Sequence, residues 1–109
     1  MEPLSLTLTA EQQIAKATSE SSGRSVLPLK SDATKDLRQL VVALRAGSAL
    51  SEHENPGEAV VQSITGHVTL SAGDESWELF PGNLIAIPQM RHELRAVTDS
   101  AVLLTLINR

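Results

Sequence analysis

Three histidines are the residues of this 109-residue chain best suited to chemistry. His53 stands in Ser51-Glu52-His53-Glu54-Asn55, His67 follows Gly66, and His92 stands in Met90-Arg91-His92-Glu93. A neutral imidazole ligates transition metals, and histidine exchanges its proton near neutral pH, so these side chains suit metal binding or acid–base work. The chain has no cysteine, which removes thiolate metal sites, thiol nucleophiles and disulfides. It also lacks a glycine-rich phosphate loop, a nucleotide fingerprint and a serine-nucleophile motif. Any catalysis would therefore rest on His53 or His92.

Strand periodicity separates the histidines. Over 91–97, Arg91, Glu93 and Arg95 share one face, and His92, Leu94 and Ala96 share the other. A period of two sends the charged set to water and His92 to the buried side. Over 67–72, His67 lies with Thr69 and Ser71, opposite Val68, Leu70 and Ala72, so His67 is expected to be solvated.

The elements that hold these positions are short strands. Glycines at 47, 57, 66, 73 and 82 punctuate the chain, the rhythm of a β-sandwich or barrel. Strands are expected over 26–30, 37–45, 48–53, 58–65, 67–72, 75–80, 83–87, 91–97 and 101–107. Leu37 to Leu44 and Ala101 to Ile107 are apolar on both faces and should be central. Trp77 and Phe80, the only aromatics, are expected in the core or at a dimer interface. Residues 1–25 read differently: Thr9-Ala10-Glu11-Gln12 fits a capping box that starts a helix over 10–18, followed by a flexible link at Ser19 to Gly23. The expected division is thus a helical segment over 1–25 and a barrel over 26–109.

Hydrophobic residues make up 41% of the chain, enough for one packed core and too many for a disordered chain. Thirteen acidic against nine basic residues give a net charge of −4. With no basic run, this argues against nucleic-acid and anionic-membrane partners. No secretory signal pattern or membrane-length apolar run is present, so a cytoplasmic protein is expected.

Two stretches resemble the paired motifs of the cupin superfamily, of the RmlC-like jelly-roll kind. Gly47 to Gly66 reads GSALSEHENPGEAVVQSITG, and Pro81 to Ala96 reads PGNLIAIPQMRHELRA. In the first, Gly47 precedes five residues and then His53, with Pro56-Gly57 and a closing Gly66. In the second, a Pro-Gly turn leads to Ile87-Pro88 and His92, at a spacing one residue shorter than common in the family. The resemblance covers about residues 37–107 and implies an all-β double-stranded β-helix, usually a homodimer. It also implies a divalent transition metal such as Fe, Mn, Ni, Zn or Cu, held by two histidines and a glutamate of the first motif and a histidine of the second.

This chain departs from that ligand set. His53 and His92 match two ligands, Asn55 stands where the second histidine would be, and Ala59 stands where the glutamate would be. His53 and His92 are the candidate metal ligands, with Asn55 a poorer third. Glu58 is adjacent to Ala59, so a regular strand aims it at the opposite face. The implied pocket is lined by Ala59, Val61 and Ser63 on one strand and His92 and Leu94 on another, with His53, Asn55 and His92 as its polar groups. Small Ala59 and Ala96 should leave it open and mostly apolar, the profile of a small-molecule site. The resulting expectation is a small-molecule-binding barrel. The alternatives are a metal-dependent dioxygenase or isomerase using His53 and His92, a metal-free acid–base enzyme, and an interaction domain.

Overall fold

The computed structural model describes residues 2–30, 34–53 and 57–107, without the side chains of residues 30 and 51–53. One helix, α1 (Leu6–Ser19), precedes nine strands: β1 (Arg24–Lys30), β2 (Leu37–Leu44), β3 (Ala49–His53), β4 (Ala59–Thr65), β5 (Val68–Ala72), β6 (Glu75–Leu79), β7 (Leu84–Ala86), β8 (His92–Ala96) and β9 (Ser100–Ile107). The strands form a five-stranded sheet in the order β1-β2-β9-β4-β7 and a four-stranded sheet in the order β3-β8-β5-β6. Every pairing is antiparallel. This is the expected jelly roll, with all nine strands where turn chemistry and alternation place them. No helix among the described residues is long and apolar enough to cross a membrane.

The two-faced apolar runs are central, as expected, and the structure gives the reason. β2 and β9 pair over eight consecutive positions without a register shift, from Leu37↔Ile107 to Leu44↔Ser100. Val42, Leu44, Val102 and Leu104 join the core between the sheets. Their sequence neighbours Val41, Ala43 and Ala101 face the other way and pack with Ala10 and Ala17 of α1, with Ile14 and Leu103 at the margin. The helix therefore docks on its own barrel, and alanine on both sides allows the close approach. A hydrogen bond from Ser25 Oγ to Gln13 Oε1 ties it to β1.

The helix begins four residues earlier than the Thr9 capping pattern suggests. Ser5 is the N-cap, its Oγ accepting from the Leu8 amide at 3.1 Å. Thr9 is instead buried inside the helix, and its hydroxyl donates to the Ser5 carbonyl at 2.8 Å. Either residue could cap by type; burial of Thr9 against the sheet decides for Ser5. Ser19 ends the helix, and Glu20 to Gly23 form a turn held by bonds from the Gly23 amide to the Glu20 carbonyl and from the Arg45 amide to the Gly23 carbonyl.

Gly66 shows why the first motif closes on glycine. Its φ is +91°, and a Cβ there would lie 2.5 Å from the Asp99 carbonyl oxygen and 2.7 Å from Ser100 Cα. The turn into β5 thus rests directly on the turn into β9. The next amide, of His67, donates to Ser100 Oγ at 2.9 Å. Gly82 has a similar φ of +90° with nothing within 4 Å of a Cβ. Gly82→Ala should therefore cost about 1 kcal/mol through backbone strain alone. Gly66→Ala should cost about 3 kcal/mol, strain plus collision. Urea denaturation of both variants reads the difference, and equal losses would show that crowding at Gly66 is unimportant.

Candidate functional site

β8 alternates as the charge pattern dictates: His92, Leu94 and Ala96 are buried, whereas Arg91 and Arg95 are exposed. His92 is only 3% exposed, and a buried imidazole needs hydrogen-bond partners. Its Nδ1 lies 2.9 Å from the Met90 carbonyl oxygen. A carbonyl only accepts, so the ring donates to it from Nδ1.

The β3–β8 register brings the two motifs together. Leu50 pairs with Leu94, and His53 pairs with His92. Three residues of β3 thus span two of β8, a shift that marks a β-bulge between Leu50 and His53. The shift sets the backbone of position 53 opposite that of His92. The side chains of Glu52 and His53 lie outside the described residues, as do Glu54 and Asn55 entirely.

His92 lines a cavity between the sheets. Val42, Val61, Val102 and Leu104 form the wall on the five-stranded sheet. Leu50, Leu70 and Leu94 form the opposite wall, and Ile87 closes one side. The gaps among these side chains total about 340 Å³ when open solvent is included, but only about 20 Å³ admits the centre of a water molecule. The smaller figure measures the enclosed room, enough for one water-sized group. The pocket is apolar, as expected, but it is narrow rather than open. Leu50, Leu70, Leu94, Leu104 and Ile87 line it, and neither Ala59 nor Ala96 does.

The structure brings together Val61, Leu94 and His92 of the expected lining. Ala59 and Ser63 are buried on the same face of β4 but do not touch this cavity. Ala59 instead borders a shallow groove of about 120 Å³ with Glu58, Val60, Thr105, Leu106 and Ile107. Glu58 is exposed, and its backbone carbonyl accepts from the Ile107 amide at 3.0 Å. Sequence reasoning missed Val42, Leu50, Leu70, Ile87, Val102 and Leu104. Alternation marked Leu70 as buried, and two-faced runs marked β2 and β9 as central, but neither says which face looks inward.

His67 is not simply solvated. Its Nε2 lies 2.5 Å from Glu78 Oε1, which also accepts from Thr69 Oγ1 at 3.0 Å. Its ring stacks on Phe80 with centroids 4.4 Å apart. This half-buried cluster sits outside the barrel, remote in register from His92. Phe80 is 51% exposed and so is no core residue, whereas Trp77 packs against the core.

No protein-family model and no curated protein matches the chain. Solved structures do. A cupin superfamily protein from Desulfitobacterium hafniense DCB-2 superposes with a TM-score of 0.81 at 16% identity, covering 99% of this chain and 92% of that one. A conserved protein of unknown function from Streptococcus pyogenes gives 0.73 at 25% identity, covering 83% and 78%. The cupin domain of an XRE-family transcriptional regulator from Enterobacter cloacae gives 0.64 at 22% identity, covering 79% and 96%.

Ser63 supplies a test of the buried face of β4. It is 1% exposed, and its Oγ has no hydrogen-bond partner among the described residues. A buried hydroxyl without a partner costs roughly 1–3 kcal/mol. Ser63→Ala should therefore leave the protein more stable by about 1 kcal/mol, read as a higher midpoint in urea. A loss of stability would show that the hydroxyl is satisfied in solution.

Proposed function

Because the chain has the cupin superfamily fold, a scaffold that hosts many activities, we propose from the site itself that it is a small-molecule-binding module. The observation that carries this reading is a narrow cavity whose described lining is aliphatic apart from buried His92. Apolar walls with a single orienting group are what a small ligand site requires. One structural neighbour is a domain of a transcriptional regulator, a setting for sensing rather than turnover. His53 completes the polar end in this reading, on the strength of its register opposite His92.

The divalent metal implied by the fold does not fit these residues. Ala59 offers no donor where a carboxylate would be needed, and Glu58 is exposed rather than turned to the cavity. Among the described residues no three histidines, aspartates or glutamates gather as a metal would need. Two imidazoles would leave the charge of a divalent cation without an anion to offset it among the described residues. The second reading, a metal-dependent dioxygenase or isomerase, is favoured only by the pairing of His53 with His92 in the β3–β8 register.

Elemental analysis of protein purified without a metal column separates the two. We expect well under one equivalent of any divalent transition metal, unchanged in His53→Ala and His92→Ala. A full equivalent that both variants lose would establish the metal enzyme instead. For the binding reading, methyl spectra of protein labelled at Ile, Leu and Val should respond to a library of small organic molecules at Val61, Leu70, Leu94 and Val102. Hits that move only surface methyls would overturn it.

A further inference from the structure

We propose that the outer face of the four-stranded sheet joins two copies of this chain, related by a two-fold axis parallel to β5, so that Phe80 meets the partner subunit's Val97 and Glu78 meets the partner subunit's Arg95. This face lies outside the barrel and does not depend on what the cavity holds.

The two sheets differ in what covers them. α1 packs across β1, β2, β9 and β4 of the five-stranded sheet, and no second helix among the described residues covers the other. The outward side chains of the four-stranded sheet, opposite in parity to the buried Val68, Leu70, Leu79, Leu94 and Ala96, lie in three rows across β6, β5 and β8. Phe80, His67 and Val97 form the first row, which continues the Val68↔Leu79 and Val68↔Ala96 pairings by one step. The Phe80–His67 stack and a bond from the Val97 amide to the His67 carbonyl at 2.8 Å hold it. Glu78, Thr69 and Arg95 form the second row, and Ser76, Ser71 and Glu93 the third. Phe80 and Val97 are half exposed, and covering two such apolar side chains would stabilise a contact.

The rows are self-complementary. A two-fold axis along β5, between two such faces, leaves β5 facing itself and sets β6 over β8 of the second copy. Apolar then meets apolar at Phe80 and Val97, opposite charges meet at Glu78 and Arg95, and Ser76 meets the partner's Glu93. Within these rows no like charges face each other. An axis across the strands would instead set Glu78 on the partner's Glu78 and Arg95 on the partner's Arg95, which like-charge repulsion disfavours. Both charged groups keep capacity for the contact. His67 and Thr69 hold Glu78 Oε1, leaving Oε2, and Arg95 spends Nε and Nη1 on Glu93 and the Gly47 carbonyl, leaving Nη2. Stacked sheets keep their strands within about 30° of each other, as this axis does. Three strands about 4.8 Å apart make a face smaller than the roughly 800 Å² per partner of a standard interface, so the dimer is a weak one.

The test is sedimentation velocity of the full chain from about 10 μM to about 1 mM, the span of weak interfaces. The wild type should pass from monomer to dimer as concentration rises. Glu78→Arg and Arg95→Glu each place like charges opposite one another at two points, and each should weaken association about tenfold or more. An equimolar mixture of these two variants should restore it to near the wild-type strength, because every arginine then faces a glutamate. Phe80→Asp should stay monomeric throughout, and thermal melts establish that the variants are folded. A wild type that is monomeric at the highest concentration would overturn the proposal. So would a dimer that the single variants leave intact, or a mixture that associates no better than its components.

Discussion

The ladder between β2 and β9 is the constraint on which the rest of this molecule depends. Eight paired positions run without a slip, and both strands are apolar on both faces. A slip of β2 by one residue would flip its faces, sending Val42 to the helix and Val41 into the barrel while β9 kept its own. The two sets are not interchangeable. The helix side needs Ala43 and Ala101, whose small side chains let α1 lie close to the sheet. The barrel side needs the larger Leu44 and Leu104 to reach across to the four-stranded sheet. Docking α1 and filling the barrel therefore select the same register, and that register decides which side chains wall the cavity.

The second sheet contributes the chemistry through an irregularity. β3 gains one residue on β8 between Leu50 and His53, and this bulge sets the backbone of position 53 opposite His92. The functional reading follows from what surrounds that pairing rather than from the fold. The described walls around His92 are aliphatic. His92 is thus a polar group in an aliphatic wall, tied down by a backbone carbonyl.

Much of this was legible before any coordinates. The charged alternation of Arg91, Glu93 and Arg95 placed His92 inside, because a strand of period two with three charges on one face has one stable orientation. Gly47, Gly66 and Gly82 marked turns, and each has positive φ. Three features were not legible, for separate physical reasons. The start of α1 depends on whether Ser5 or Thr9 meets the sheet, which local composition does not contain. The bulge in β3 belongs to a pairing between two strands and leaves no mark in Ser51 or Glu52. The narrowness of the cavity comes from leucines on four different strands converging, so a count of small residues near one motif overestimates the space.

The alanine at position 59 and the aliphatic lining around His92 both leave little to hold a charge. A divalent cation brings charge and bound water, and its site must be polar enough to hold both. Once alanine stands at position 59, a charge near His92 has no compensating anion among the described residues, and burying it becomes costly. Aliphatic side chains can then approach one another, as Leu50, Leu70 and Leu104 do around the cavity, and their burial stabilises the barrel directly. The orphaned hydroxyl of Ser63, deep on the same strand face, is the polar feature that sits least comfortably in it.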